Sequence, residues 1–375
     1  MMCMSRKIVV VGGGYGGVEL IRQLINRGVK NVEVELFSDK KYFENIIGGP
    51  ELISERVAVE ELRYDLKELS RFWNFQLHVN EVKNVDLENK IINFENGELE
   101  YDIIVLASGS QTNFYDVEGA SNSLPAYSLE DFLRINQAVK SVSEESNIVV
   151  VGAGFVGLEV VGYILDLLKS IGKKSNICVV EQATSVLSTY PNELARGTAF
   201  EYFSKKDVKF ILGQRVKALE SNKIIFANKN HVQADVIVWA AGIRSSNLSF
   251  NVKGAKLVNG FIKVDERLFI KGKDDAFALG DVAYVEIDGK VAQKMAGEAL
   301  EQAKTVAKNI SYILERSKPN LTHKVVFSTD FPQALLSVGD DKAILIYGQN
   351  YASIGTVEYF LKKRIDFDEI MGRFP

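Results

Sequence analysis

The feature that most constrains this chain is a glycine-punctuated junction between a strand and a helix, and it occurs twice. Residues 7–17 read KIVVVGGGYGG, and residues 147–157 read NIVVVGAGFVG. Each opens with an apolar run suited to a strand buried on both faces. Each run ends in the spacing G-x-G-x-x-G: Gly12, Gly14 and Gly17 first, then Gly152, Gly154 and Gly157. The first glycine of such a set allows a tight turn. The second lets the backbone approach a pyrophosphate, and the third lets the helix pack closely on the strand. The helix N-terminus then offers unpaired N–H groups and a partial positive charge to phosphates.

The chain downstream of each junction is also repeated. The stretch NEVKNVDLENKIINFENGELEYDIIVLASG (residues 80–109) runs parallel to QRVKALESNKIIFANKNHVQADVIVWAAG (residues 214–242). Two fingerprints, two meanders and two closing A-x-G turns in the same order are an internal duplication. The periodicity between them predicts strands at 32–37, 75–79, 101–107, 177–180 and 208–212, and helices at 128–141, 191–205 and 298–315. Residues 41–51 read as a loop, 56–71 as a helix, and 274–283 as a strand running into Gly280-Asp281. Residues 325–328, 335–338 and 343–347 read as a three-stranded antiparallel sheet before an amphipathic tail from 356 to 375. At 375 residues the chain exceeds one typical core.

Composition removes several function classes. A net charge of −4 gives no reason to expect a nucleic-acid surface. No apolar run reaches the roughly 18 residues that span a bilayer, and MMCMSRK is too short to be a signal peptide. The chain reads as cytoplasmic. Its two cysteines, Cys3 and Cys178, form no C-x-x-C pair, so neither a zinc site nor a dithiol is expected, and no metal is assigned.

With these residues in place the chain resembles the flavoproteins built from two dinucleotide-binding domains. Among them it looks most like the type II NADH dehydrogenases and their sulfide:quinone oxidoreductase relatives. The resemblance implies an α/β fold: two Rossmann-like, glutathione-reductase-like domains plus a small C-terminal α+β region. It places an FAD domain at 1–116 and 255–320, an NAD(H) domain at 117–254, and an antiparallel sheet with the tail at 321–375. Non-covalent FAD is then expected against Gly12, Gly14 and Gly17, with its pyrophosphate at the helix starting near Tyr15. Ser38 and Asp39 stand where a ribose-binding acid is expected. Val82 would grip the adenine, the Ala107-Ser108-Gly109 turn would close the loop, Gly280-Asp281 would meet the ribityl chain, and Met295 and Ala296 the pyrimidine ring.

NADH is expected against Gly152, Gly154, Val156 and Gly157, with Glu181 on the ribose and Ala241-Gly242 closing the loop. Glu181 would repel a 2′-phosphate, and no Arg or Lys lies within 182–187. Glu159 falls where relatives place a carboxylate facing the flavin and nicotinamide. Its alternative is an exposed first-turn acid favoured by the helix dipole.

Missing thiols narrow the acceptor to a quinone, oxygen or a small electron-transfer protein. Quinone is the reading carried forward, although the family pattern A-Q-x-A-x-Q is here Ala296-Gly297-Glu298-Ala299-Leu300-Glu301. Gly297, Glu301 and Gln302 are the candidate quinone residues. The second function reading is a flavoprotein of the apoptosis-inducing-factor or ferredoxin-reductase kind. The tail, with Phe360, Phe367, Ile370, Met371 and Phe374 near helical spacing, suits contact with the inner face of the cell membrane. Packing on the protein itself or on a twin subunit in a homodimer is its alternative.

Overall fold

The apolar runs before each glycine set become the middle strands of two parallel sheets. The computed structural model describes residues 5–370 and residue 372. It divides the chain into two units: Met1–Glu44, Arg63–Gln111 and Arg244–Thr329 form one, and Asn45–Leu62, Thr112–Ile243 and Asp330–Pro375 the other. Residues 45–62 and 330–375 therefore belong with the second unit, whereas the sequence reading put the former in the first domain and the latter in a separate region.

In the first unit, five parallel strands lie in the order Ala276–Ala278, Ile103–Leu106, Arg6–Val11, Val32–Ser38, Gln76–Val79. Ile8, Val9 and Val10 are wholly buried, each such side chain contributing about 1.5–3 kcal/mol. The helix Tyr15–Asn26 packs against the long helix Ala296–Leu314. Gly16 permits the approach of the intervening turn, since a β-carbon there would sit 2.2 Å from Leu279 Cδ1. A second sheet orders Val252–Lys253, Val82–Asp86, Ile91–Phe94, Gly97–Glu100.

The second unit repeats the arrangement. Its parallel strands run Leu124–Pro125, Val236–Trp239, Asn147–Val151, Asn176–Val180, Lys209–Ile211. The meander recurs as Val216–Glu220, Lys223–Phe226 and His231–Gln233. The helix Leu129–Ser141 starts at a capping box of Ser128 and Asp131. To this core the unit adds an antiparallel sheet, Gln333–Gly339, Lys342–Tyr347, Tyr351–Gly355, and the tail helix Thr356–Ile370. Gly162 lets the helix Phe155–Ser170 press on that sheet, because a β-carbon there would meet the Val338 carbonyl carbon at 2.5 Å.

Three expectations need correction. Residues 56–71 are not one helix: Arg63–Asp65 pairs with Tyr42–Glu44, and Asp65 caps a short helix, Leu66–Trp73, by accepting the Lys67 N–H at 2.7 Å. The supposed loop at 41–51 therefore contains a strand. The third strand of the antiparallel sheet is Tyr351–Gly355, not residues 325–328. The N–H groups of Val326 and Phe327 go instead to the Glu298 carboxylate. Cys3 and the side chains of Phe367, Ile370, Met371 and Phe374 lie outside the described residues.

Candidate functional site

The two glycine loops have the same geometry, and it leaves the same space empty. Gly12 has φ +117° and Gly152 φ +110°, in the left-handed half of the map. A β-carbon at Gly12 would lie 2.2 Å from the Ala107 carbonyl oxygen, and one at Gly152 would lie 2.4 Å from that of Ala240. The A-x-G turns therefore close directly over the loops. Gly17 and Gly157 would each put a β-carbon 2.0 Å from the carbonyl oxygen of Gly12 and Gly152, which fixes the helices on their strands. Gly14 and Gly154 differ: nothing lies within 4 Å of a β-carbon there. Neither of the two helices has a side-chain cap or an acidic residue in its first turn. Both helix N-termini thus open on free space beside Gly14 and Gly154, and a helix N-terminus of this kind favours an anion.

The two units part ways at the end of the neighbouring strand. Phe37 and Val180 occupy the same place, their carbonyls accepting the N–H of Gly12 and of Gly152 at 2.8 Å. Ser38 comes next in one unit and Glu181 in the other. Ser38 is buried, its Oγ only 2.7 Å from a β-carbon built on Gly13, while Asp39 is exposed. Glu181 accepts the Ala153 N–H on Oε2 and the Ala183 N–H on Oε1, both at 2.9 Å, so its carboxylate is aimed along the glycine loop. It lines an open cleft with Gln182, Gln214, Val216, Tyr115, Trp239 and Ala241. Arg215 lines it too, a cation from outside 182–187 that the start of the meander delivers. Gly242, at φ +143°, leaves room for the Tyr115 hydroxyl.

In the first unit, Gly280 (φ +69°) and Asp281 open a short 3-10 turn. Asp281 Oδ2 accepts the Ser110 hydroxyl at 2.7 Å. Burial pushes the Asp281 carboxyl up, while Ser110 and the nearby Lys294 draw it down. Lys294, whose ammonium donates to the Ala283 carbonyl, is itself pushed down to about 8 by burial. Val82 is buried at the start of its strand, and Met295 stands at the uncapped N-terminus of the helix Ala296–Leu314. Just before it, Gln293 Oε1 is buried without a hydrogen-bond partner. This orphaned acceptor carried no motif that would have flagged it.

The three candidate quinone residues on this helix are not grouped around a common opening. Gln302 is buried, accepting the Gly280 N–H at 2.7 Å and donating to Glu298 at 3.3 Å. Glu301 pairs with Lys304 at 2.5 Å, and Gly297 lies under the ring of Phe327. The expectation that Gln302 faces a headgroup gives way to a framework role: it holds the turn that carries Asp281.

Glu159 is not a surface acid. It is 5% exposed, its Oε1 accepts the Ser337 N–H at 3.2 Å, and Lys362 Nζ lies 3.5 Å away. Burial pushes Glu159 up to about 7, against the opposing pull of Lys362 and Ser337. Lys362 is equally buried. Burial pulls its ammonium down, but Glu159 and Asp366 outweigh this and hold it above the ordinary lysine range. The pair sets one fixed cation beside a carboxyl able to exchange a proton near neutrality. Glu19, at the same place in the first unit, is instead neutralised within its own helix by Arg22 at 2.8 Å. Lys362 was missed because it is far away in sequence and sits inside an amphipathic tail.

Cys178 lies buried within the strand Asn176–Val180, its thiol pushed up to about 11 by burial. No group of three or more metal-ligating side chains comes together among the described residues.

Comparison with known proteins decides the family. The model of the pyridine nucleotide-disulphide oxidoreductase family matches residues 6–307. The chain belongs to that family. It is 26% identical to a type II NADH:quinone oxidoreductase of Staphylococcus saprophyticus, covering 96% of this chain and 94% of the relative. A protein with the same description from Staphylococcus aureus is 24% identical over the same shares. Among solved structures, the sulfide:quinone oxidoreductase of Aquifex aeolicus superposes with a TM-score of 0.83 at 18% identity, over 98% of this chain and 91% of that one. NDH2 of Plasmodium falciparum in complex with NADH gives 0.80 at 17%, over 99% of each chain. At these identities the structural matches establish the fold, two Rossmann-like domains, and this oxidoreductase family supplies the class of chemistry.

Proposed function

We propose that this chain is an FAD-dependent NADH:quinone oxidoreductase, catalysing NADH + H⁺ + quinone → NAD⁺ + hydroquinone. The observation that carries the reading is the doubled cradle, in which Gly14 and Gly154 each leave open the space a pyrophosphate needs. The curated relatives, named for that reaction along nearly their whole length, support the acceptor.

The first unit holds FAD without a covalent bond. Gly14 and the helix starting at Tyr15 receive its pyrophosphate, Ser38 and Asp39 its ribose, and the Val82 main chain its adenine. Asp281 takes the ribityl chain, and Met295 and Ala296 the pyrimidine, with Gln293 Oε1 an acceptor left over for the bound group. Bound flavin supplies hydride acceptance and onward electron transfer. In the second unit, Gly154, Val156 and Gly157 hold the NADH pyrophosphate, Glu181 accepts from the adenosine ribose, and Ala241 and Gly242 close the loop.

Glu181 also opposes a 2′-phosphate, while Arg215 would attract one. Glu181→Ala is therefore expected to reduce the preference for NADH over NADPH by about tenfold or more, read as the ratio of kcat/KM values. An unchanged ratio would remove Glu181 from the ribose site. Glu159 Oε1 is assigned as the atom that holds and releases the proton consumed at the acceptor.

No helix among the described residues is long and apolar enough to cross a membrane. The tail helix nevertheless exposes Val357, Phe360, Leu361 and Ile365 as one stripe, which supports peripheral contact with a lipid surface. Phe360→Ser is expected to release the protein from sedimenting liposomes, and unchanged partitioning would refute the contact.

A protein carrier or oxygen as acceptor is the second reading, favoured by the commitment of Gln302 to Gly280 rather than to an open site. A panel of acceptors separates the two. Rapid NADH-dependent reduction of menadione supports the quinone. Negligible menadione turnover, with electrons passing to ferredoxin or oxygen, supports the alternative.

A further inference from the structure

We propose that the ring of Phe327 is the platform on which the quinone ring stacks, replacing a glutamine-lined acceptor site; the inference rests on the quinone reading above. Gly297 stands where the family pattern has its first glutamine. A β-carbon there would meet Phe327 at 2.8 Å from Cε2 and 3.1 Å from Cζ. The ring therefore fills the space that a side chain at 297 would need. Glycine here is the counterpart of Phe327, not merely a lost glutamine.

The segment carrying the ring is held by a buried polar cluster. Glu298 Oε2 accepts the N–H of Val326 at 3.0 Å and of Phe327 at 2.9 Å. Glu298 Oε1 lies 2.6 Å from His323 Nε2, whose ring reaches Thr305 through Nδ1 at 3.2 Å. Both Glu298 and His323 side chains are 1% exposed. The Phe327 carbonyl accepts the Gln293 N–H at 2.8 Å, and Ser328 bridges to Ala292. Both main-chain polar groups of Phe327 are thus paired. Burying an ionisable pair is costly, and a fully satisfied one fixes a single arrangement. Here that arrangement holds one aromatic ring over the first turn of the helix Ala296–Leu314.

A ring placed only to fill a core would be buried. Phe327 is half-buried, and among the described residues no other aromatic ring or cation lies against it. A partly exposed aromatic ring suits contact with a planar, electron-poor ring. Gln293, which grips the Phe327 carbonyl, adds an unpaired Oε1 on the same strap.

The test measures the Kd of menadione for the oxidised, FAD-loaded protein without NADH, from the change in the visible flavin spectrum. Flavin content is checked in each variant, so that lost quinone binding is not confused with lost flavin. Phe327→Leu keeps the bulk and removes the aromatic face; its Kd is expected to rise about tenfold, with Phe327→Tyr returning to within about twofold of the unmodified protein. Gly297→Ala, which displaces the ring while leaving Phe327 in place, is expected to raise Kd similarly. If the unmodified protein binds menadione and both Phe327→Leu and Gly297→Ala bind it equally well, the platform is overturned while the quinone reading stands. If the unmodified protein neither binds nor reduces menadione, the quinone reading itself fails and takes the platform with it.

Discussion

Gly14→Val is expected to yield a folded protein without flavin colour. The glycine sits in extended backbone, φ −88° and ψ −166°, which any residue adopts. It is exposed, and a β-carbon there touches nothing within 4 Å. The empty chain therefore has no reason to resist valine. A bound pyrophosphate does, because its approach to the helix N-terminus passes over this residue. The affinity for FAD is expected to fall by about a hundredfold or more, the scale on which misplacing bound groups is felt. The thermal midpoint should match that of the unmodified protein stripped of its flavin, since ligand binding itself stabilises. Gly17→Val provides the contrast. Its β-carbon would lie 2.0 Å from the Gly12 carbonyl oxygen, so it should fail to fold whether or not flavin is supplied. Flavin retained at full occupancy by Gly14→Val would remove the first cradle from the account.

The second large effect concerns Glu159 and Lys362. Glu159 is raised from the usual carboxylate range to about 7, chiefly by burial. It is protonated below that pH and ionised above it. If it supplies the proton consumed at the acceptor, quinone turnover should decline as pH rises through about 7. Glu159→Gln removes the titrating group, so kcat should fall by about a hundredfold, within the range for a positioned acid or base, and this limb should vanish. Lys362→Met acts in the opposite way. Lys362 is the cation that draws Glu159 down, so its loss should move the limb to higher pH while keeping it. Profiles of kcat against pH for the three proteins distinguish these outcomes. A limb that persists unmoved in Glu159→Gln belongs to another group.

Sequence reading succeeded where the determinant is local. The glycine spacings state their own geometry, because each glycine is needed within a few residues of the strand it closes. The two meanders likewise carry their pairing in period-two alternation and short turns. It failed where a distant partner overrides local preference. Residues 56–71 have helical periodicity, but Tyr42–Glu44 captures Arg63–Asp65 as a strand and Asp65 restarts the helix. Residues 325–328 alternate like a strand, yet Glu298 takes the N–H groups of Val326 and Phe327. The strand Tyr351–Gly355 is rich in small residues and is held by its neighbour Lys342–Tyr347. Glu159 was visible as a candidate; its partner was not, because Lys362 looks like any polar residue on an amphipathic helix. The tie of Gln302 to Gly280 was hidden for the same reason, since neither position shows in its own neighbourhood which groups will need satisfying.

Anaerobic titration of the purified protein with NADH, followed in the visible flavin band, tests the doubled cradle most directly. The predicted result is one FAD per chain, bleached by one equivalent of NADH and restored by menadione. A chain that takes up no FAD on reconstitution, or whose flavin keeps its colour in excess NADH, would contradict it.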